Sequence, residues 1–438
     1  MLCQTPTVVP VGRMKAILQE QDEQGWSFTD RLVCVSCVND EALQAAIQVA
    51  EEAGSSCSFC GEAPAAPLDV LLEAFVNGLR NEYENALDGV MWDGRDGGFQ
   101  WKPKWDTWDL VGQFDEVLIG EGLLDAVRQA VHDITWVERD FATRRRDIVL
   151  TESWERFCEA VQYETRYVFW LCRNHEEESL YSAGEVPAAR ILDEVGRLVL
   201  RLDLVQTLPA GSPLWRARTH SSPKFSATPH RLGTAPRDKA TQANRMSPAG
   251  IPMFYGALDA PTAIREVAIG TADEFVTYGR FETSAPVAIV DFTNLRPIPS
   301  MFDPEWGALR RPLIFLHRFV AQLSDRARLK HEQVDYVPTQ VVTEYLLRVF
   351  DGGEAVVGLL YTSSLTGEPC AVLDVPNKRC VLRGRRWPEN DGTRLRLDKT
   401  SVRTRPLSAA DKHRVRSKAL CTMATELKGP RKNASVER

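Results

Sequence analysis

The chain has 438 residues, 44% hydrophobic and 26% charged, the balance of a globular protein long enough for two or three domains with cores of their own. No apolar run reaches the roughly 18–20 residues of a membrane helix and the N-terminus lacks a secretory apolar core, so a cytoplasmic protein without a membrane partner is expected. The net charge of −7 is uneven: residues 376–438 hold 18 Lys/Arg against 6 Asp/Glu, which leaves an acidic body and argues against a long nucleic-acid-binding surface on it.

Residues 1–63 form a small cysteine-bearing module. Cys34-x2-Cys37 is followed, after 19 residues, by Cys57-x2-Cys60, the spacing of a zinc knuckle or ribbon. Each Cys-x2-Cys turn brings two sulfurs to about 3.5–4 Å, two corners of a tetrahedron around Zn²⁺. Four thiolates leave no open coordination position, so the expected role is structural; two redox pairs or buried free thiols are the alternative. EALQAAIQVAEEAG between the pairs reads as a helix, and Gly61 permits a tight turn after Cys60. That helix carries Glu41, Glu51 and Glu52 rather than the Lys/Arg cluster of a nucleic-acid-binding ribbon. The remaining cysteines are scattered, as buried thiols usually are in a reducing compartment.

After the GEAPAAP linker, residues 67–205 read mostly as helix. Leu68, Leu71, Leu72, Phe75, Val76 and Leu79 share one face, as do Leu123, Val127, Ala130, Val131, Ile134 and Val137. An aromatic-rich stretch at 152–173 and a stripe from Ile191 to Leu202 complete four amphipathic helices, expected to bury one another as a bundle. The Gly- and Trp-rich loop at 91–110 either binds something or caps the bundle.

From about residue 206 the pattern changes to short β-rich runs at 251–255, 286–292, 356–361 and 370–375, with helical segments near 260–269, 308–325 and 338–349. This predicts an α+β domain with a mixed sheet over 208–385. Residues 386–438 remain as a basic tail, read as a solvated extension that only weakly suggests nucleic acid or an acidic partner.

The chemistry-bearing residues fall in this last domain. LWRAR places Arg216 and Arg218 on a strand-like run, and NRMSPAGIPMFYGALDAPTAIREV (244–267) then reads as Arg, turn, strand, turn, helix. Pro248 and Gly250 make the first turn, Asp259 caps the helix, and Pro261 sits in its first turn. Glu266 lies on that helix, and a later strand ends in Tyr361, Thr362, Ser363 and Ser364. Read without any relative, Arg216 and Glu266 fit a structural ion pair and Tyr255 a core tyrosine.

The order of these motifs closely resembles the RES domain, a family named for its Arg, Glu and Ser residues. The family's early Arg falls on Arg216, its turn Arg on Arg245, its Tyr on Tyr255, its Glu on Glu266 and its Ser on Ser363, with Ser364 a close competitor. Where the family commonly has Trp-Asn after the turn Arg, this chain has Met246-Ser247. The cysteine quartet and the helical region resemble a HEPN-like module found ahead of RES domains.

The resemblance implies an ADP-ribosyltransferase-like fold and NAD⁺ as substrate. The activity implied is that of a bacterial toxin or defence effector degrading NAD⁺ by hydrolysis or by phosphorolysis with phosphate as co-substrate. A protein ADP-ribosyltransferase is the alternative, and a non-catalytic nucleic-acid- or partner-binding regulator the second. An antitoxin or regulatory protein and a second copy of the chain are the partners it suggests. Chemically, Arg216, with Arg218 beside it, and Arg245 suit a diphosphate, Tyr255 a stacked ring, Glu266 a cationic ribose, and Ser363 or Ser364 a hydrogen bond that orients substrate. The nearest approach to a HEPN nuclease motif, Arg128-x3-His132, is one residue short, so the helical module is expected to be catalytically silent.

Overall fold

A computed structural model describes residues 11–93, 98–101, 103–139, 144–171, 185–324, 331–384 and 392–413. Contacts divide the chain into two compact units: residues 1–146 with 297–313, and residues 147–296 with 314–438.

The first unit is built around the cysteine module. Helix α1 (Glu41–Val49) starts where Asp40 accepts hydrogen bonds from the amides of Ala42 and Leu43 at 3.0 and 3.1 Å, an N-cap that satisfies two orphan donors. Strands β1 (Leu32–Val33) and β2 (Ala66–Pro67) pair beside it. Helix α2 (Leu68–Glu82) buries Leu68, Leu71, Leu72, Phe75, Val76 and Leu79, the stripe read from sequence. Gly78 on the same helix admits Phe302: a Cβ there would lie 2.8 Å from the Phe302 Cα. Strands β3 (Tyr83–Asn85), β4 (Lys104–Asp106) and β5 (Thr135–Glu138) form a small antiparallel sheet, and α3 (Thr107–Gly112) and α4 (Leu123–Ala130) complete the core.

The second unit holds a ten-stranded mixed sheet. Its strands are β6 (Val205–Leu208), β7 (Pro213–His220), β8 (Phe254–Ala257), β9 (Phe275–Thr283), β10 (Val287–Asp291), β11 (Gly358–Thr362), β12 (Pro369–Leu373), β13 (Cys380–Leu382), β14 (Leu395–Leu397) and β15 (Arg403–Pro406). The order is β13-β14-β9-β7-β8-β12-β11-β10-β6, with β15 also pairing β9; β10 with β11 and β13 with β14 are the parallel pairs. Val287, Ala288, Ile289 and Val290 are all buried, as an unbroken apolar run in a sheet covered on both faces should be.

Helix α7 (Ala260–Ala268) begins as expected, with Asp259 accepting from the Thr262 amide at 2.7 Å and Pro261 in its first turn. Helix α9 (Val337–Arg348) packs against β11. Two further helices, α5 (Arg146–Glu159) and α6 (Ile191–Arg201), and residues 315–323 of α8 (Arg310–Ser324) join the same core.

Three expectations change. The four amphipathic stripes do not all bury one another: those of α2 and α4 lie in the first unit's core, whereas Trp154, Phe157, Ile191, Leu192, Val195 and Val199 lie in the second's. A stripe announces a face to be buried but not the surface that buries it. The strand expected at 251–255 begins at Phe254, because Gly250 turns at φ +87° and Pro252 has no N–H for a ladder. The tail expected from 386 is, over 395–406, two strands on β9, where cross-strand pairs such as Glu282 with Arg396 make charged residues into sheet residues; residues 385–391 and 414–438 lie outside the described residues.

Candidate active site and metal centre

The four cysteines of the first unit converge. Their sulfur atoms all lie within 4.8 Å of one another, with Cys34–Cys60 at 3.3 Å, Cys37–Cys57 at 3.7 Å and Cys34–Cys37 at 3.8 Å. A tetrahedron with metal–sulfur bonds of about 2.3 Å has edges of about 3.8 Å, so the set is placed to hold one metal ion. The backbone explains the convergence. The first pair brackets a single 3-10 turn at Val35–Cys37. The second closes through the Gly61 amide donating to the Cys57 carbonyl at 3.0 Å, with Gly61 at φ +78°. The Phe59 amide donates to the Cys57 sulfur at 3.4 Å, a contact that favours a thiolate there.

In the second unit, Arg216, Arg245, Tyr255 and Glu266 line one cavity of about 390 Å³, within the range of small-molecule sites. Arg245 is only 8% exposed, its guanidinium lies 5.7 Å from the Tyr361 ring centroid, and its Nη1 is buried with no hydrogen-bond partner. Its place is fixed by its backbone instead. Thr339 Oγ1 donates to the Arg245 carbonyl, Gln340 Nε2 donates to the Asn244 carbonyl at 2.8 Å, and the Met246 amide donates to the Tyr255 hydroxyl at 3.2 Å. A charged head is thereby held beside a cavity without being consumed.

Arg216 differs. Its Nε faces the carbonyls of Leu232 and Gly233 at 2.9 and 3.1 Å, and its Nη1 donates to the Tyr255 carbonyl. Burial and the neighbouring Arg218 charge press its pKa down to about 9, which leaves it cationic at neutral pH. One edge of this guanidinium therefore braces the loop at 232–233 against β8. Arg218 donates to the same Gly233 carbonyl at 2.9 Å, and burial lowers its pKa.

Tyr255 is anchored by its hydroxyl, which lies 2.9 Å from Ser247 Oγ; burial pushes its pKa up to about 12. Ser247 is fully buried and gives the tyrosine a polar partner. Glu266 accepts a hydrogen bond of 2.5 Å from Ser363 Oγ. Ser363 is itself fully buried, and its hydroxyl also accepts from the Leu365 and Thr366 amides at 3.2 and 3.3 Å. The serine thus addresses the glutamate. Among the described residues that line the cavity, Ser363, Ser364 and Arg218 do not figure.

The cavity also has walls that the motifs did not mark: Trp215, Tyr361, Cys370, Glu332 and Tyr336. Burial, reinforced by the charge of Glu266, keeps the Cys370 thiol far above its ordinary pKa, so it is an inert wall. Trp215 could have been found as the neighbour of Arg216; Glu332 and Tyr336 carry no local signal.

The matches to known families fall on this geometry. The chain matches the RES domain over residues 213–398, from β7 through β14. It is a RES-domain protein. The first unit and part of the second match HEPN/RES N-terminal domain 1 over residues 50–175, which takes in Cys57 and Cys60. No curated protein and no solved structure matches the chain. RES domains are associated with chemistry on NAD⁺.

Within the HEPN/RES domain, Arg128 and His132 are turned to separate tasks. Arg128 stacks 4.5 Å from the Trp108 ring and pairs with Asp125 at 3.3 Å, while His132 Nε2 meets Ser27 Oγ at 3.3 Å. No described helix is long and apolar enough to cross a membrane.

Proposed function

We propose that this RES-domain protein is an NAD⁺-consuming enzyme that cleaves the nicotinamide–ribose bond in the cavity beside Arg245 and Glu266. The observation that carries the reading is a buried guanidinium whose Nη1 has no partner together with a carboxylate held by Ser363, both lining one cavity. Arg245 meets the diphosphate with forked donors, and Arg216 adds positive potential from behind the loop it braces. Nicotinamide leaves already cationic, so little acid catalysis is needed; what the protein supplies is negative charge near the ribose as its own positive charge grows. Water attacking the ribose carbon gives ADP-ribose, nicotinamide and a proton; phosphate as the acceptor gives ADP-ribose phosphate instead. Such an activity suits a toxin or defence effector.

The first unit's cysteine quartet is proposed as a structural Zn²⁺ site, since four sulfur donors close the coordination sphere.

The test is to incubate the pure protein with NAD⁺, with and without phosphate, and to identify products by mass spectrometry. Free nicotinamide with ADP-ribose or its phosphate supports the reading. Label from NAD⁺ appearing on protein points to ADP-ribosyl transfer, and intact NAD⁺ to a binding role.

A further inference from the structure

Beyond the glutamate already assigned, the cavity carries a second carboxylate. We infer that Glu332 is a substrate-binding residue that accepts hydrogen bonds from ribose hydroxyls, with Tyr336 beside it in the same cavity lining. The inference rests on the proposed use of NAD⁺.

Glu332 and Tyr336 border the same cavity as Arg245 and Glu266. The two carboxylates differ in how they are held. Glu266 is engaged by Ser363, whereas among the described residues no hydrogen bond or ion pair engages the Glu332 carboxylate. A half-buried carboxylate left open toward a cavity is an acceptor for donors brought by a ligand, and a ribose diol brings two. Carboxylates recognise ribose hydroxyls in this way in other nucleotide sites.

Glu332 is also tied to the Arg245 turn through a short chain of bonds. The Tyr336 amide donates to the Glu332 carbonyl at 3.2 Å, and the single Thr339 Oγ1 proton lies within reach of both the Tyr336 carbonyl, at 2.9 Å, and the Arg245 carbonyl. The Arg245 turn, which offers a cation, and the Glu332 segment, which offers an anion, are therefore linked through Thr339, and the two charges alternate along that link. A substrate with a diphosphate on one side and a sugar diol on the other matches that alternation, whereas a bare diphosphate would be repelled by Glu332.

The deciding measurement is calorimetric binding of ADP-ribose, which carries the riboses and the diphosphate but no nicotinamide, to the wild type, Glu332→Gln and Glu332→Ala. Affinity should fall in that order, by about tenfold or more for alanine, the loss of a charge-assisted hydrogen bond. In turnover, Glu332→Ala should raise KM for NAD⁺ and leave kcat within a few-fold. Equal or tighter binding by the alanine variant, as expected if Glu332 merely repels the diphosphate, overturns the inference alone. A wild type that binds neither ADP-ribose nor NAD⁺ overturns the proposed function and this assignment with it.

Discussion

Ser363 and Glu266, 97 residues apart in sequence, meet in a 2.5 Å hydrogen bond in which the serine donates. Because the serine hydroxyl also accepts from two amides, its rotor has no freedom, and the carboxylate it addresses is fixed in turn. Replacing Ser363 with alanine should lower kcat for NAD⁺ cleavage by about 10–100-fold, the worth of a hydrogen bond to a charged group, with ADP-ribose affinity unchanged. A variant with weakened binding and intact kcat would put the hydroxyl on the substrate instead.

Glu266→Gln keeps the shape of the side chain and removes its charge. The expected loss is about 10²–10³ in kcat, with NAD⁺ still bound and the thermal transition unchanged. Steady-state rates alongside equilibrium binding check both halves, and a wild-type rate in the glutamine variant removes Glu266 from the chemistry.

Arg245→Lys retains a positive charge but loses the planar fork. Nη1 of Arg245 is buried without a partner, so that arm of the fork is unspent within the protein. NAD⁺ affinity should drop by about tenfold or more, because a point charge cannot reproduce two parallel donors. Titration with NAD⁺ in a Glu266→Gln background reads this without turnover.

Protein purified without chelators should contain one zinc per chain by elemental analysis. Stripping the metal, or substituting Cys37 with serine, should lower the first unit's thermal midpoint by more than about 10 °C, because metal-binding free energy is folding free energy in such modules. Retained stability without metal would return the quartet to buried thiols.

His132→Ala should leave NAD⁺ loss intact and release no ribonuclease phenotype. His132 contacts Ser27 and Arg128 covers Trp108, so neither is poised on a shared phosphate. A variant that keeps its fold and loses activity would place catalysis in the HEPN/RES domain.

What could be read from sequence was local. Asp259 and Pro261 announce the start of α7, Gly61 the turn after the second cysteine pair, and the Arg245, Tyr255, Glu266 order the cavity they share. What could not be read depends on partners distant in sequence. Strand β9 carries Arg280 and Glu282 and does not look like an interior strand, yet Arg280 is matched at 2.8 Å by Asp398 on the far side of the chain. The motif marks Ser363 by its type but carries no sign of its bond partner, Glu266. Glu332 has no neighbour in sequence that marks it, and only the packing of α9 beside β11 brings its segment to the cavity.

Strand β9 is paired along both flanks: β7 lies on one, and β14 and β15 share the other, at Phe281–Thr283 and Phe275–Tyr278. The last two strands are thus a sheath over what would otherwise be a nine-residue edge in the middle of the fold. A fragment ending at residue 385 would bare the backbone of that edge, and a bare flat edge recruits other chains. Solubility of the RES domain is therefore written in a basic segment that contributes no residue to the cavity lining.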